Sequence, residues 1–342
     1  MNTSVMKAFQ AIRARLGLFC LAAAFCAWGI GPVGRVGSAG SGLRHYHSLV
    51  VSDSQALFPF VASPSSGVRV TYLGTNGYLL EASDSTILID PYFSRIALAP
   101  VASNSPIKPN VIRINSGMNR LPKRIDAILV THGHFDHLLD VPEIARRTRA
   151  SVVASPTSCY LSQAVGVPAS QTLLVRAGDS VRCGGARVHV LAAVHDRIFG
   201  ILPFPGVQTA VPRKPPRRPS DWVCGEPLAF LLDIGGKRIY VDAGGTVATL
   251  PPTTAGPVDL AILGVYLPDS RNRVLPALRR LQPRYILPSH QDDFFRPLSG
   301  GFRFGPMTKF NAVLRSVEKY RSSSPRPARL ILLDYFAPWT LR

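Results

Sequence analysis

Short runs of β-branched and aromatic residues, separated by Gly, Asn, Ser and Asp, begin at Val68 and recur along the chain. Runs at 68–73, 78–81 and 86–90 predict a meander that opens a sheet. Further strands are predicted at 126–131, 151–154, 171–176, 180–183, 186–194, 228–234, 238–242, 260–265, 284–287 and 328–335, with Gly235-Gly236 as a hairpin turn. Helical spacing appears at 141–149, 157–165, 274–281 and 307–320. Strands interleaved with helices predict an α/β fold of two sheets with helices on their outer faces.

Two stretches break this pattern. Residues 99–122 are rich in Pro and Asn, and residues 198–227 carry seven prolines, four basic residues and Trp222. Proline cannot feed a strand ladder, so 198–227 reads as a long loop. It starts three residues after His195, which leaves two readings open, a wall of a site containing that histidine or a surface insertion. The organisation predicted is an N-terminal segment over 1–39, a lead-in over 40–66 and one domain over 67–336.

Residues 1–39 resemble an export signal: Lys7, Arg13 and Arg15 precede an uncharged run from Leu16, and small residues end at Ala39. The implied location is periplasmic or secreted, with a membrane anchor by an uncleaved segment as the alternative. The 46% hydrophobic and 17% charged content excludes global disorder. The formal charge of +19 favours anionic partners, a small or lipid-like substrate or a membrane surface among them. The densest basic group is Arg213, Lys214, Arg217 and Arg218, and no aromatic-interleaved basic stripe points to nucleic acid. Cys159, Cys183 and Cys224 allow one disulfide at most and have no metal-ligand spacing. His45 and His47 read as an incidental pair.

The chemistry concentrates in His132-Gly133-His134-Phe135-Asp136-His137, three imidazoles and a carboxylate in six residues between a predicted strand and a predicted helix. Neutral imidazole and carboxylate suit borderline-soft divalent cations such as zinc. Three histidines crowded without a metal would repel one another when protonated.

This run, preceded by Ile128-Leu129-Val130-Thr131, resembles the hallmark motif of the metallo-β-lactamase superfamily. The resemblance implies a four-layer αββα sandwich and a hydrolase with two divalent ions, zinc by preference. It places His132, His134 and a later histidine on the first ion, and Asp136, His137 and a C-terminal histidine on the second, with one aspartate shared. His195 is preferred to His189 as the third ligand because it closes an apolar run, whereas His189 sits between Val188 and Val190. Asp242, at a predicted strand end before Ala243-Gly244-Gly245, is preferred to Asp233 as the shared carboxylate. His290 is the one histidine after His195. Asp90 resembles an aspartate that lies beneath such sites and orients a ligand imidazole; a turn aspartate before Pro91 is the alternative.

On that resemblance Asp136 orients an attacking hydroxide shared by the two ions, and Asp242 balances their charge. The shared Asp242 speaks against a true β-lactamase. The segments 73–78 and 90–93 resemble the subgroup of the ascorbate-6-phosphate lactonase and the N-acyl phosphatidylethanolamine phospholipase D, which implies a phosphodiester or similar anionic ester, ahead of a lactone or ester. An iron-dependent oxidoreductase on the same fold is the reading of another class.

Overall fold

The computed structural model describes residues 42–53, 64–198, 200–244, 257–326 and 328–342, with residues 268–271 described by their backbone alone. The segment 1–39 lies outside the described residues. Among the described residues, no helix is long and apolar enough to cross a membrane.

Strands β1 (Val68–Gly74), β2 (Gly77–Glu81), β3 (Thr86–Ile89), β4 (Ala127–Leu129), β5 (Ser151–Ala154) and β6 (Thr172–Leu174) form one sheet. The C-terminal β14 (Pro338–Leu341) joins it, giving the order β14-β1-β2-β3-β4-β5-β6. The second sheet runs β13 (Arg329–Leu330), β12 (Tyr285–Ser289), β11 (Leu260–Gly264), β10 (Lys237–Val241), β9 (Leu228–Ile234), β8 (Ala186–Ala192) and β7 (Ser180–Cys183). In each sheet an antiparallel meander gives way to parallel strands, β3 to β6 in the first and β10 to β13 in the second.

Period-two alternation turns one face of each sheet inward. Val68, Val70, Leu80 and Ile87 thereby pack against Val188, Phe230, Leu232 and Ile262 in a core between the sheets. The opposite faces are covered by helices. Val111–Met118, Val141–Thr148 and Pro156–Ala164 belong to the side of the first sheet, and Pro268–Leu281 and Phe310–Ser323 pack on the second. The result is the expected αββα sandwich.

Helices Leu98–Ala102 and Val111–Met118 fall within the segment that composition marks as irregular. The second starts at Asn110, whose side chain accepts from the Arg113 N–H and so caps the helix. The first sheet extends to Leu341, past the expected boundary at 336, because β14 pairs with β1 from Val68↔Leu341 to Thr71↔Pro338. The lead-in forms a short 3-10 helix, Arg44–Leu49, that carries His45 and His47 away from the ligand groups described below. Cys159, Cys183 and Cys224 are free and buried, so no disulfide joins them.

Candidate metal centre

The carboxyl ends of β3, β4, β8, β10 and β12 are followed by Asp90, the 132–137 motif, His195, Asp242 and His290 respectively. Strand ends, where the ladder stops and loops diverge, are where α/β sheets place ligands. Two groups result. His132, His134 and His195 form one, and Asp136, His137 and His290 the other, each with its potential ligand atoms within 4.8 Å of one another.

The ring nitrogens divide their work. His132 Nε2 faces His134 Nδ1 at 3.0 Å, while His134 Nε2 lies 3.0 Å from the Pro203 carbonyl and His195 Nδ1 lies 2.7 Å from the Asp196 carbonyl. Outer partners of this kind fix the ring and the tautomer, and leave the inner nitrogen for a ligand. In the second group Asp136 Oδ2 lies 3.1 Å from His290 Nε2 and 3.5 Å from His137 Nε2. His137 Nδ1 turns outward to Asp90 Oδ2 at 2.8 Å. The groups adjoin, with the His132 and His137 ring centroids 4.0 Å apart.

Burial holds His132, His134 and His195 well below the usual imidazole range, His134 at about 4. All three are therefore neutral at pH 7 and can offer a lone pair. Burial also lowers His137, but the Asp136 and Asp90 carboxylates more than offset it and push the ring up to about 10. A proton or a metal cation would answer the same pair of negative charges. Asp136 is held well below the carboxylate range: burial raises it, and the neighbouring His137 and His290 more than compensate.

The residues fit a pair of divalent cations. Inward-facing imidazole nitrogens and a carboxylate form two three-membered donor sets in a buried setting. Among the described residues the buried His290 Nδ1 has no hydrogen-bond partner, and the Tyr266 and Phe294 rings pack against the imidazole.

Asp90 does more than close a turn. It accepts from Asn76 Nδ2 at 2.8 Å, from the Thr131 N–H at 2.8 Å and from Thr131 Oγ1 at 2.5 Å, besides facing His137. It thus ties the motif's entry to the β1–β2 turn. Asp90→Asn should weaken metal binding on the order of 10- to 100-fold without unfolding the chain, as read by calorimetric zinc titration and circular dichroism.

Asp242 is buried beside the site and belongs to neither donor group. Its Oδ1 accepts from the Gly244 N–H at 2.9 Å and the Gly264 N–H at 3.0 Å, and the Tyr240 hydroxyl bonds the same carboxyl. Burial pushes the carboxyl up to about 6 despite those donors. The rival residues are elsewhere: His189 and Asp233 face each other at 3.3 Å across β8 and β9, with Arg238 beside Asp233.

Residues that sequence reasoning missed hold the His290 turn. Asp292, fully buried, accepts from the Thr75 N–H at 2.9 Å, from Arg95 Nη2 at 2.6 Å and from the Tyr335 hydroxyl at 2.6 Å. The His290 N–H in turn donates to the Thr75 carbonyl at 2.7 Å. Thr75, Asp90, Arg95 and His290 all have positive φ, a cost that persists only where surrounding bonds over-determine it. Gly74 is required here, since a Cβ on it would stand 1.7 Å from Arg95 Nη2. No local motif announces Arg95, whose partner lies 197 residues away.

The loop over 198–227 resolves into a wall. Cys224 O accepts from the Gly133 N–H at 2.9 Å, and a Cβ at Gly133 would come within 2.3 Å of the Val223 carbonyl, so glycine between the two histidines lets the strap lie against the motif. Trp222 of the same strap is buried in the cluster that holds Phe135 and Leu161. Ile198, Pro203 and Phe204 from this loop, Leu98 and Val101 from the first helix, and Phe294 and Phe295 after β12 line the pocket above both donor groups.

A four-layer sandwich with paired His/Asp donor groups at its strand ends defines a class, the metal-dependent hydrolases of this architecture. The family described as "Beta-lactamase superfamily domain" matches residues 69–290. The chain belongs to the beta-lactamase superfamily and is a metal-dependent hydrolase. It is 28% identical over 236 residues to a UPF0173 metal-dependent hydrolase of Heliobacterium modesticaldum, covering 66% of this chain and 84% of the relative. A UPF0173 metal-dependent hydrolase of Rubrobacter xylanophilus is 30% identical over 236 residues, 67% of this chain and 83% of the relative. The solved structure of Igni18, a metallo hydrolase from the archaeon Ignicoccus hospitalis, superposes with a TM-score of 0.51 at 18% identity, covering 81% of this chain and 99% of that one. That likeness shows the fold.

Proposed function

We propose that the two donor groups hold two zinc ions and that the chain hydrolyses an ester-type bond in a substrate with an apolar substituent, a carboxylic ester or lactone ahead of a phosphodiester. The observation that carries this reading is the pocket lining, which is dominated by aliphatic and aromatic side chains and, among the described residues, includes no Lys or Arg. The positive charge of the chain is not expressed there: Lys214, Arg217 and Arg218 line a separate groove with Pro212 and Ser220. Apolar walls favour the chain of a substrate over its charge.

When bound, the ions would supply a nucleophilic hydroxide at neutral pH and polarise the oxygen of the bond to be cut. His132, His134 and His195 would hold one, and Asp136, His137 and His290 the other. Asp136, held ionised by His137 and His290, would orient the nucleophile that the ions supply. Asp242, with Oδ1 fixed by two amides, would serve as the shared carboxylate that the family resemblance implies, although it stands outside both donor groups. Leu98, Val101, Ile198, Phe204 and Phe294 exclude water from the substrate's apolar arm.

The test is a series of p-nitrophenyl esters of rising acyl length beside a lactone panel and bis-p-nitrophenyl phosphate. Each methylene that enters the wall should raise kcat/KM roughly fourfold, from about 0.8 kcal/mol per buried CH₂. A flat chain-length profile with dominant turnover of the phosphate would overturn the ester reading and install the phosphodiester in its place.

A further inference from the structure

Large hydrophobic side chains that remain exposed are few among the described residues, and they are not scattered. Of seven, Val111 and Ile112 open the helix Val111–Met118 and line a groove with Pro100 and Ile107, and Ile201, Val207 and Val211 lie on the loop that walls the pocket. Ile112 is 81% exposed and Val207 59%, so these side chains are offered to solvent rather than grazed by it. The two segments are joined. The Ile107 N–H donates to the Arg217 carbonyl at 2.7 Å, Arg218 Nη1 donates to the Asn104 carbonyl at 2.7 Å, and Asn104 bonds Ser220. The same strap carries Arg213, Lys214, Arg217 and Arg218, all exposed.

We propose that this rim docks the chain on an anionic lipid surface, with the aliphatic residues entering the headgroup boundary and the cationic strap meeting lipid phosphates. Aliphatic side chains interleaved with Lys and Arg on one face are what an interfacial site requires: apolar area for the acyl boundary and charge for anionic headgroups. The charge also argues against the other occupants. A second copy of this chain meeting the same face would set the cations of one strap against those of the other. Nucleic acid would call for aromatic stacking platforms, and the exposed apolar members here are all aliphatic. The rim and the pocket share one loop, since Ile198, Pro203 and Phe204 of the same loop line the pocket. This docking goes beyond the hydrolytic reading and stands whichever bond is cut.

The experiment is hydrogen exchange on the full chain, alone and with vesicles of phosphatidylcholine or of phosphatidylcholine with phosphatidylglycerol. The readout is local to the rim, so contact of other parts of the chain with lipid does not register as docking. Exchange over 107–113 and 201–218 is expected to slow severalfold with the anionic vesicles, and to recover in high salt. In the triple variant Arg213→Ser, Lys214→Ser, Arg217→Ser, affinity for anionic vesicles is expected to fall roughly fivefold per cation removed. The same variant should keep the far-UV circular dichroism and Tm of the parent chain, which shows that it is folded. Unchanged exchange with vesicles, equal protection by neutral vesicles, or protection that grows with chain concentration in buffer alone would each overturn the proposal, the last in favour of a second copy.

Discussion

Asp136→Ala should lower kcat/KM on the order of 10³-fold or more and halve the metal content of the chain. Its carboxylate lies 3.1 Å from His290 Nε2 and 3.5 Å from His137 Nε2, and it is the one acidic member of either donor group. On the proposed function, removing it would take away a ligand of the second ion and the group that orients the nucleophile, each worth about 10²- to 10⁴-fold where such roles have been separated. The first donor group, all imidazole, keeps its members. The expected variant is therefore folded, loaded at one site and nearly inactive. Circular dichroism, metal content and steady-state kinetics on the same sample check all three. Wild-type rates in this variant would remove Asp136 from the chemistry.

Chelation is expected to have the second largest effect, abolishing turnover and lowering Tm by on the order of 10 °C. The donor groups join the ends of strands from both sheets, so cations held there bind the native state alone. A ligand at a thousandfold excess over its Kd stabilises the native state by about 4 kcal/mol. Loss should be ordered by pH. The first group is neutral across the physiological range, because burial keeps His132 and His195 low and His134 at about 4. The second must displace a proton from His137, which stands at about 10. Below that value binding at the second site weakens as pH falls, since the proton competes for Nε2; it strengthens as pH rises toward 10. Zinc titrations across pH should show two classes of site, with the second released first on acidification.

What could be read from the sequence follows from how local each signal is. The 132–137 motif is contiguous, and His195, Asp242 and His290 each close an apolar run, so strand ends pointed to them without knowledge of the packing. The sheets were legible for the same reason, alternation being a property of neighbouring residues. Helix Leu98–Ala102 was not, because Pro100 within it and the Pro/Asn-rich stretch after it mask the period. Strand β14 was missed because Pro338 heads a four-residue edge strand, where a missing N–H costs least. The Arg95–Asp292–Tyr335 tie and the aromatic wall of Phe204, Phe294 and Phe295 depend on contacts between distant segments, and nothing in the immediate sequence encodes them. Net charge says nothing of where the charge sits: the densest cations lie on the outer strap, away from the pocket lining.

The most direct measurement is metal content by mass spectrometry on the purified full chain, with Asp136→Ala alongside. Two zinc ions per chain, falling to one in the variant, is the expected result from the two donor groups. A single iron per chain, or no metal retained at either, would contradict a dinuclear zinc hydrolase and turn attention to redox chemistry on the same fold.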